Sequence, residues 1–135
     1  MAEYIDSIVF DCVHPASLAR FWCEVLLDHE IAPYDDEEIA RLAAMGVHDV
    51  EDDPSVLVLP KGWPKTAGPR IFFQKVPEGK TAKNRMHLDV KGRDRAHLDR
   101  LLELGATVVR EWDDKNGYWL TDPQGNDFCV MLPPA

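Results

Sequence analysis

In "RMHLDV", residues 85–90, an imidazole and a carboxylate stand two apart, at His87 and Asp89. In an extended segment that spacing puts both side chains on one face. An imidazole titrates near neutrality and can take and return a proton, while a carboxylate beside it fixes its tautomer. His87 as general base, with Asp89 as its orienter, is the acid–base pair this chain offers. The competing assignment is structural: a histidine bonded to Asp89 or to a backbone carbonyl, with no part in chemistry. Alternation along neighbouring strand-like runs adds Asp11, Asp127 and Cys129 to the same-facing set, so a His/Asp/Cys cluster is geometrically open. Nucleophilic chemistry at Cys129 would need a positive group to stabilise its thiolate in an accessible cleft.

The other polar residues carry weaker signals. His14 precedes Pro15 and suits a helix cap, while His29, His48 and His97 fall at positions expected to be surface. Ser7 and Ser17 lack a GxSxG context, and "GRDRAH" lacks the glycines of a phosphate loop. Trp63, Phe72, Trp112 and Trp119 would serve equally as an aromatic wall for a flat ligand or as ordinary packing.

The elements that must position these residues follow from periodicity. "YIDSIVFDC" alternates as a strand with Ile8, Phe10 and Cys12 on one face and Val9 and Asp11 on the other. "HPASLARFWCEVLL" follows as a helix, with Pro15 in its first turn and Leu18, Phe21, Trp22, Val25 and Leu26 as its apolar stripe. A short helix over "DEEIARLAAMG" begins with acids and stops at Gly46, and "SVLVLP" and "RIFFQKV" are strands on either side of "KGWPKTAGP". The second half repeats the scheme. "RMHLDV" is a strand, "DRAHLDRLLELG" a helix, and "ATVVREW", "GYWLTD" and "NDFCVML" are three strands joined by "DDKNG" and "DPQG".

Matching Val9 to His87 pairs Asp11 with Asp89 and the first helix with the second, and the closing strands match with Phe72 opposite Cys129. In this frame Asp11 and Asp89 recur in both halves and read as scaffold residues, leaving His87 as the odd one out. The first module spans about residues 1–78 with an insertion at about 33–53, and the second about 84–135. The inserted helix would either close the first module's cleft or cover an edge strand.

Composition narrows the partners. A chain of 135 residues, 45% hydrophobic and 29% charged, is the size and make-up of one ordinary globular domain. A net charge of −9 without a basic face excludes phosphate-backbone binding, so no nucleic acid is expected. The one basic run, "EGKTAKNR", reads as a solvated connector rather than an anion site. No apolar run would span a membrane, the acidic N-terminus argues against a signal peptide, and three cysteines without CxxC spacing suit reduced thiols, together pointing to the cytoplasm.

With this layout, "FDCVHPASLARFW", "VPEGKTAKNRMHLDV", "LLELGATVV" and "TDPQGNDFCV" resemble the vicinal-oxygen-chelate superfamily, in its glyoxalase-like domain branch of glyoxalase, bleomycin-resistance and dioxygenase relatives. The resemblance implies an α+β fold of two tandem βαβββ modules, a curled mixed sheet around a cleft. It also implies a small organic ligand and a homodimer. Metal-dependent members take ligands from the first and last strands of each module, which here correspond to Val9, Phe72, His87 and Cys129. Only His87 is the residue expected there, so the metal site is degenerate. No metal is expected, and the cofactor is unknown; if a divalent metal binds, His87 and Cys129 are its ligands, with Asp89 or Asp127 added. The implied function is a small-molecule-binding protein, with His87 and Asp89 catalysing a metal-free isomerase or lyase step and Val9, Asp11, Phe72, Trp119, Asp127 and Cys129 lining the cleft. The alternatives are a divalent-metal-dependent glyoxalase or dioxygenase, and a resistance-type protein that sequesters a drug.

Overall fold

The computed structural model describes residues 3–134. The chain divides into two compact units: residues up to Cys23 with Leu27–Gly79, and Glu24–Leu26 with Lys80 onward. The first contains β1 (Ser7–Cys12), all but the last two residues of α1 (Pro15–Val25), β2 (His29–Ile31), α2 (Asp36–Ala44), a short 3-10 turn (Val50–Asp52), β3 (Ser55–Pro60) and β4 (Arg70–Lys75). The second contains β5 (Leu88–Lys91), α3 (Arg95–Glu103), β6 (Thr107–Glu111), β7 (Gly117–Thr121) and β8 (Asp127–Met131). The fold is α+β, and each unit holds one four-stranded mixed sheet, in the orders β1-β4-β3-β2 and β5-β8-β7-β6. Among the described residues no helix is long and apolar enough to cross a membrane.

The first sheet is built by period-two alternation. Phe10, Phe73 and Val56 lie opposite one another across β1, β4 and β3. Phe10 stacks on Phe73 at 5.2 Å and meets Trp22 of α1 at 5.0 Å. Trp22, Phe73, Val56 and Val58 are almost wholly buried, and truncating Phe73 to alanine would cost roughly 3–5 kcal/mol. The opposite face carries Val9, Phe72 and Leu57. His14 does cap α1, its Nδ1 accepting from Ser17 N at 3.3 Å.

The inserted helix forms as expected: Asp35 caps α2 by accepting from Glu38 N at 2.9 Å, and Gly46 follows at φ +82°. Ahead of it lies an unforeseen strand, β2, only three residues long and too short to show alternation. The second unit repeats strand, helix and three strands. Asp94 caps α3 through His97 N at 2.9 Å, and Leu98 and Leu101 are fully buried. In the "DDKNG" turn the left-handed residue is Lys115, φ 62°, rather than the Asn-Gly pair.

Strand pairing corrects the repeat register. Val9 faces Phe72 in β1 and β4, whereas Cys129 of β8 faces Asp89 of β5. If Phe72 and Cys129 are equivalent, Asp89 is therefore the counterpart of Val9. His87, immediately before β5, answers to Ser7, and Asp11 to Lys91. The same frame superimposes Leu18 and Phe21 of α1 on Leu98 and Leu101 of α3, all four buried. A slip of one residue would have reversed every face, but a slip of two preserves them all, so alternation alone could not detect it. Asp89 is thus no repeated scaffold residue: the dyad as a whole is peculiar to the second module.

Candidate functional site

One row of side chains crosses the second sheet. Asp89 on β5 faces Cys129 on β8, Cys129 faces Trp119 on β7, and Trp119 faces Arg110 on β6, just beyond a bulge. Of that row Cys129, Trp119 and Arg110, with Lys83, His87, Trp112 and Asp113, line a pocket of about 390 Å³, the size range of small-ligand sites; Asp89 touches it through His87.

His87 Nδ1 lies 3.2 Å from Asp89 Oδ1. No other partner of His87 occurs among the described residues. His87 is 40% and Asp89 53% exposed, so a ligand can reach both.

Cys129, by contrast, is buried to 8% exposure. Burial first, and then the nearby Asp89 charge, push its thiol up, with Lys83 opposing. It therefore stays protonated at neutral pH and is a poor nucleophile.

Asp127 does not line this pocket. It is 3% exposed and its oxygens are taken: Oδ1 receives Lys80 Nζ at 2.9 Å and Asn84 N at 3.1 Å, and Oδ2 receives Trp119 Nε1 at 2.8 Å. Burial pushes this carboxyl up, but those bonds, the Lys80 ammonium foremost, outweigh it and hold the carboxyl below the usual range. Its role is to clamp Trp119 and the Lys80–Asn84 segment together. The basic run is accordingly not a free connector: Lys80 is anchored to Asp127 and to Gly125 O at 2.6 Å, and Lys83 Nζ stands 5.2 Å over the Trp119 ring. Trp112 is seated on Gly117, where an added Cβ would come within 2.0 Å of its ring.

The remaining expected site residues belong to the first unit. Val9 and Asp11 are exposed on one face of β1. Phe72 lines a separate pocket of about 640 Å³, together with Leu57, Tyr34, Asp53 and the α2 residues Glu37, Glu38 and Arg41. The insertion thus walls a pocket with β3 and β4. Asp53 there is buried and bonded to Tyr34 Oη at 2.7 Å and Ser55 N at 3.0 Å, and burial followed by that carboxylate raises the Tyr34 phenol. His97, expected on the surface, is instead 8% exposed, its Nδ1 accepting from Arg93 N at 3.1 Å and Nε2 donating to Glu24 O at 2.7 Å. Lys83 and Arg110 were missed: one sat in a run that read as solvent-facing, the other among the uniformly exposed residues of β6.

The donors also bear on a metal. The nitrogen of His87, an oxygen of Asp89 and Sγ of Cys129 lie within 4.8 Å of one another. Three mixed N, O and S donors with open space beside them suit zinc, while the thiol disfavours harder cations such as magnesium.

Among solved structures, the chain is similar to fosfomycin resistance protein FosX from Mesorhizobium loti, at 16% identity over 99% of this chain and 94% of that one, TM-score 0.60. It is similar to glyoxalase I of Leishmania major at 11% identity over 97% and 87%, TM-score 0.60. A glyoxalase/bleomycin resistance protein/dioxygenase family enzyme from Burkholderia phytofirmans shares 12% identity over 94% and 96%, TM-score 0.57. These likenesses are of fold alone, and no curated protein matches the sequence significantly. The glyoxalase-like domain profile matches residues 7–131, and by that match along nearly its whole length the chain belongs to the glyoxalase-like domain family.

Proposed function

We propose that the second unit's pocket binds a small organic carbonyl compound and moves a proton on it, with His87 as general base and Asp89 as its orienter. The observation that carries this reading is the 3.2 Å approach of Asp89 to Nδ1 at the edge of a Trp-walled pocket. Nε2 takes the proton from a carbon next to the carbonyl, and the C–H electron pair moves onto the carbonyl oxygen. Return of the proton to the other face of the same carbon completes an epimerisation; in an α-hydroxycarbonyl compound, passage of the hydroxyl proton to the enolate oxygen and return of the carbon-bound proton to the former carbonyl carbon completes a carbonyl shift. Asp89 holds the imidazole in the required tautomer and stabilises it when charged.

The test is solvent deuterium exchange, followed by proton NMR, into a panel of small α-hydroxy and α-keto compounds. Exchange above background should fall about 10²-fold or more in His87→Ala and by a smaller factor in Asp89→Asn. Exchange that is indifferent to His87→Ala would sink the proposal.

A second reading is favoured by the convergence of His87, Asp89 and Cys129. These three would hold a zinc-like ion, which when bound supplies a Lewis acid for a carbonyl oxygen. Metal analysis after purification without chelator separates the readings. Stoichiometric zinc lost in Cys129→Ala supports the second, whereas His87-dependent exchange that survives chelator and Cys129→Ala supports the first.

A further inference from the structure

The charge of the pocket wall runs against that of the chain. The protein carries −9 overall, yet the residues around this pocket include two permanent cations, Lys83 and Arg110, and one carboxylate, Asp113. Asp89, just behind, is engaged by His87, and Asp127 by Lys80. Arg110 approaches Asp113 only at 3.8 Å, with both side chains mostly in solvent, 66% and 98% exposed, so that pair is weak. Lys83 makes no ion pair among the described residues, and its ammonium lies over the Trp119 face. The ring is held at its edge by the bond from Nε1 to Asp127 at 2.8 Å. The clamp that seats Trp119 also ties down the segment bearing Lys83, through Lys80 and Asn84. A flat aromatic surface beneath an unpaired cation, with a second cation on the adjoining strand, is complementary to a flat molecule carrying negative charge at its edge.

Resting on the reading of this pocket as the ligand site, we infer that its ligand is a flat organic carboxylate that displaces the Lys83 ammonium from the Trp119 ring, stacks there, and has its charge held by Lys83 and Arg110. Lys83 is the specificity-determining residue. It selects anions into a chain whose overall charge would repel them.

Calorimetric titration with three matched probes, naphthoate, naphthamide and naphthylmethylammonium, tests this on the full chain and on Lys83→Met, Lys83→Arg and His87→Ala. Naphthoate should bind at least about tenfold more tightly than the amide, the low end for a charge-assisted bond. Lys83→Met should erase that preference, while Lys83→Arg and His87→Ala keep it. Binding of the amide or the ammonium as tightly as naphthoate, a preference that survives Lys83→Met, or no binding of any probe at millimolar concentration overturns the inference. An intact anion preference in a protein whose deuterium exchange ignores His87→Ala sinks the dyad reading alone.

Discussion

Asp127 and Cys129 are neighbours on one strand face with opposite fates. Asp127 is buried but surrounded by donors, so its carboxyl is held low; Cys129 is buried beside a carboxylate, so its thiol is held high. A carboxylate depressed in the folded state contributes stability that is present above its unfolded pKa, about 3.9, and is lost as pH falls through the lower folded value. Asp127→Asn should therefore lower stability at neutral pH by on the order of 3 kcal/mol. It should also flatten the acid limb of a denaturant-midpoint profile below about pH 4, and an unchanged acid limb would show that Asp127 is not the group responsible. For Cys129 the sign is reversed. Removing the Asp89 charge removes one of the influences raising the thiol, so Asp89→Asn should shift the pH profile of Cys129 alkylation to lower pH, read by mass spectrometry. Burial remains, so the shift should be partial.

At the scale of elements, β6, β7 and β8 set the width of the pocket, and Gly117 at the start of β7 is where that width is most sensitive. A Cβ there would meet the Trp112 ring at 2.0 Å, so Gly117→Ala must push the indole aside. A loss of about 1–3 kcal/mol in thermal or chemical denaturation is expected, with weaker binding of any aromatic probe. Binding equal to that of the parent chain would mean that Trp112 is no part of the wall. The elements themselves were legible because periodicity reports which face is buried. The strand–helix–three-strand order of the second half, the inserted helix, the α1 stripe and the faces of Val9, Asp11, Asp89 and Cys129 all follow from it, while the full βαβββ order of the first half comes from the family resemblance. What stayed hidden was information periodicity does not contain. β2 is too short to alternate, a two-residue slip leaves every face unchanged, and a lysine that bends over a tryptophan looks in sequence like any lysine in a polar run. His97 was misplaced for a related reason: its hydrogen-bond partners are backbone groups, Arg93 N and Glu24 O, which side-chain types do not announce.

At the scale of the whole molecule, two modules share one plan and differ in chemistry. Each unit has its own sheet and its own pocket, but among the described residues the imidazole, the carboxylate and the thiol come together in the second alone. The first has an apolar floor of Leu57 and Phe72, walled by the acidic α2. The two-residue correction of the register turns this asymmetry into something that can be edited. The places of His87 and Asp89 are held in β1 by Ser7, which is half-buried, and by Val9, which is 50% exposed; neither is a core position, so both have room for larger polar side chains. The double substitution S7H/V9D should therefore graft a duplicate proton-relay pair onto the dormant half without unfolding it. A further imidazole resonance in the NMR pH titration, with its midpoint moved by adding V9D to S7H, would show the pair formed. An unmoved midpoint would show that these two positions do not bring an imidazole and a carboxylate together. The two sheets share one strand order, and aligning them tells which two side chains give the second unit a pair that the first lacks at the same places.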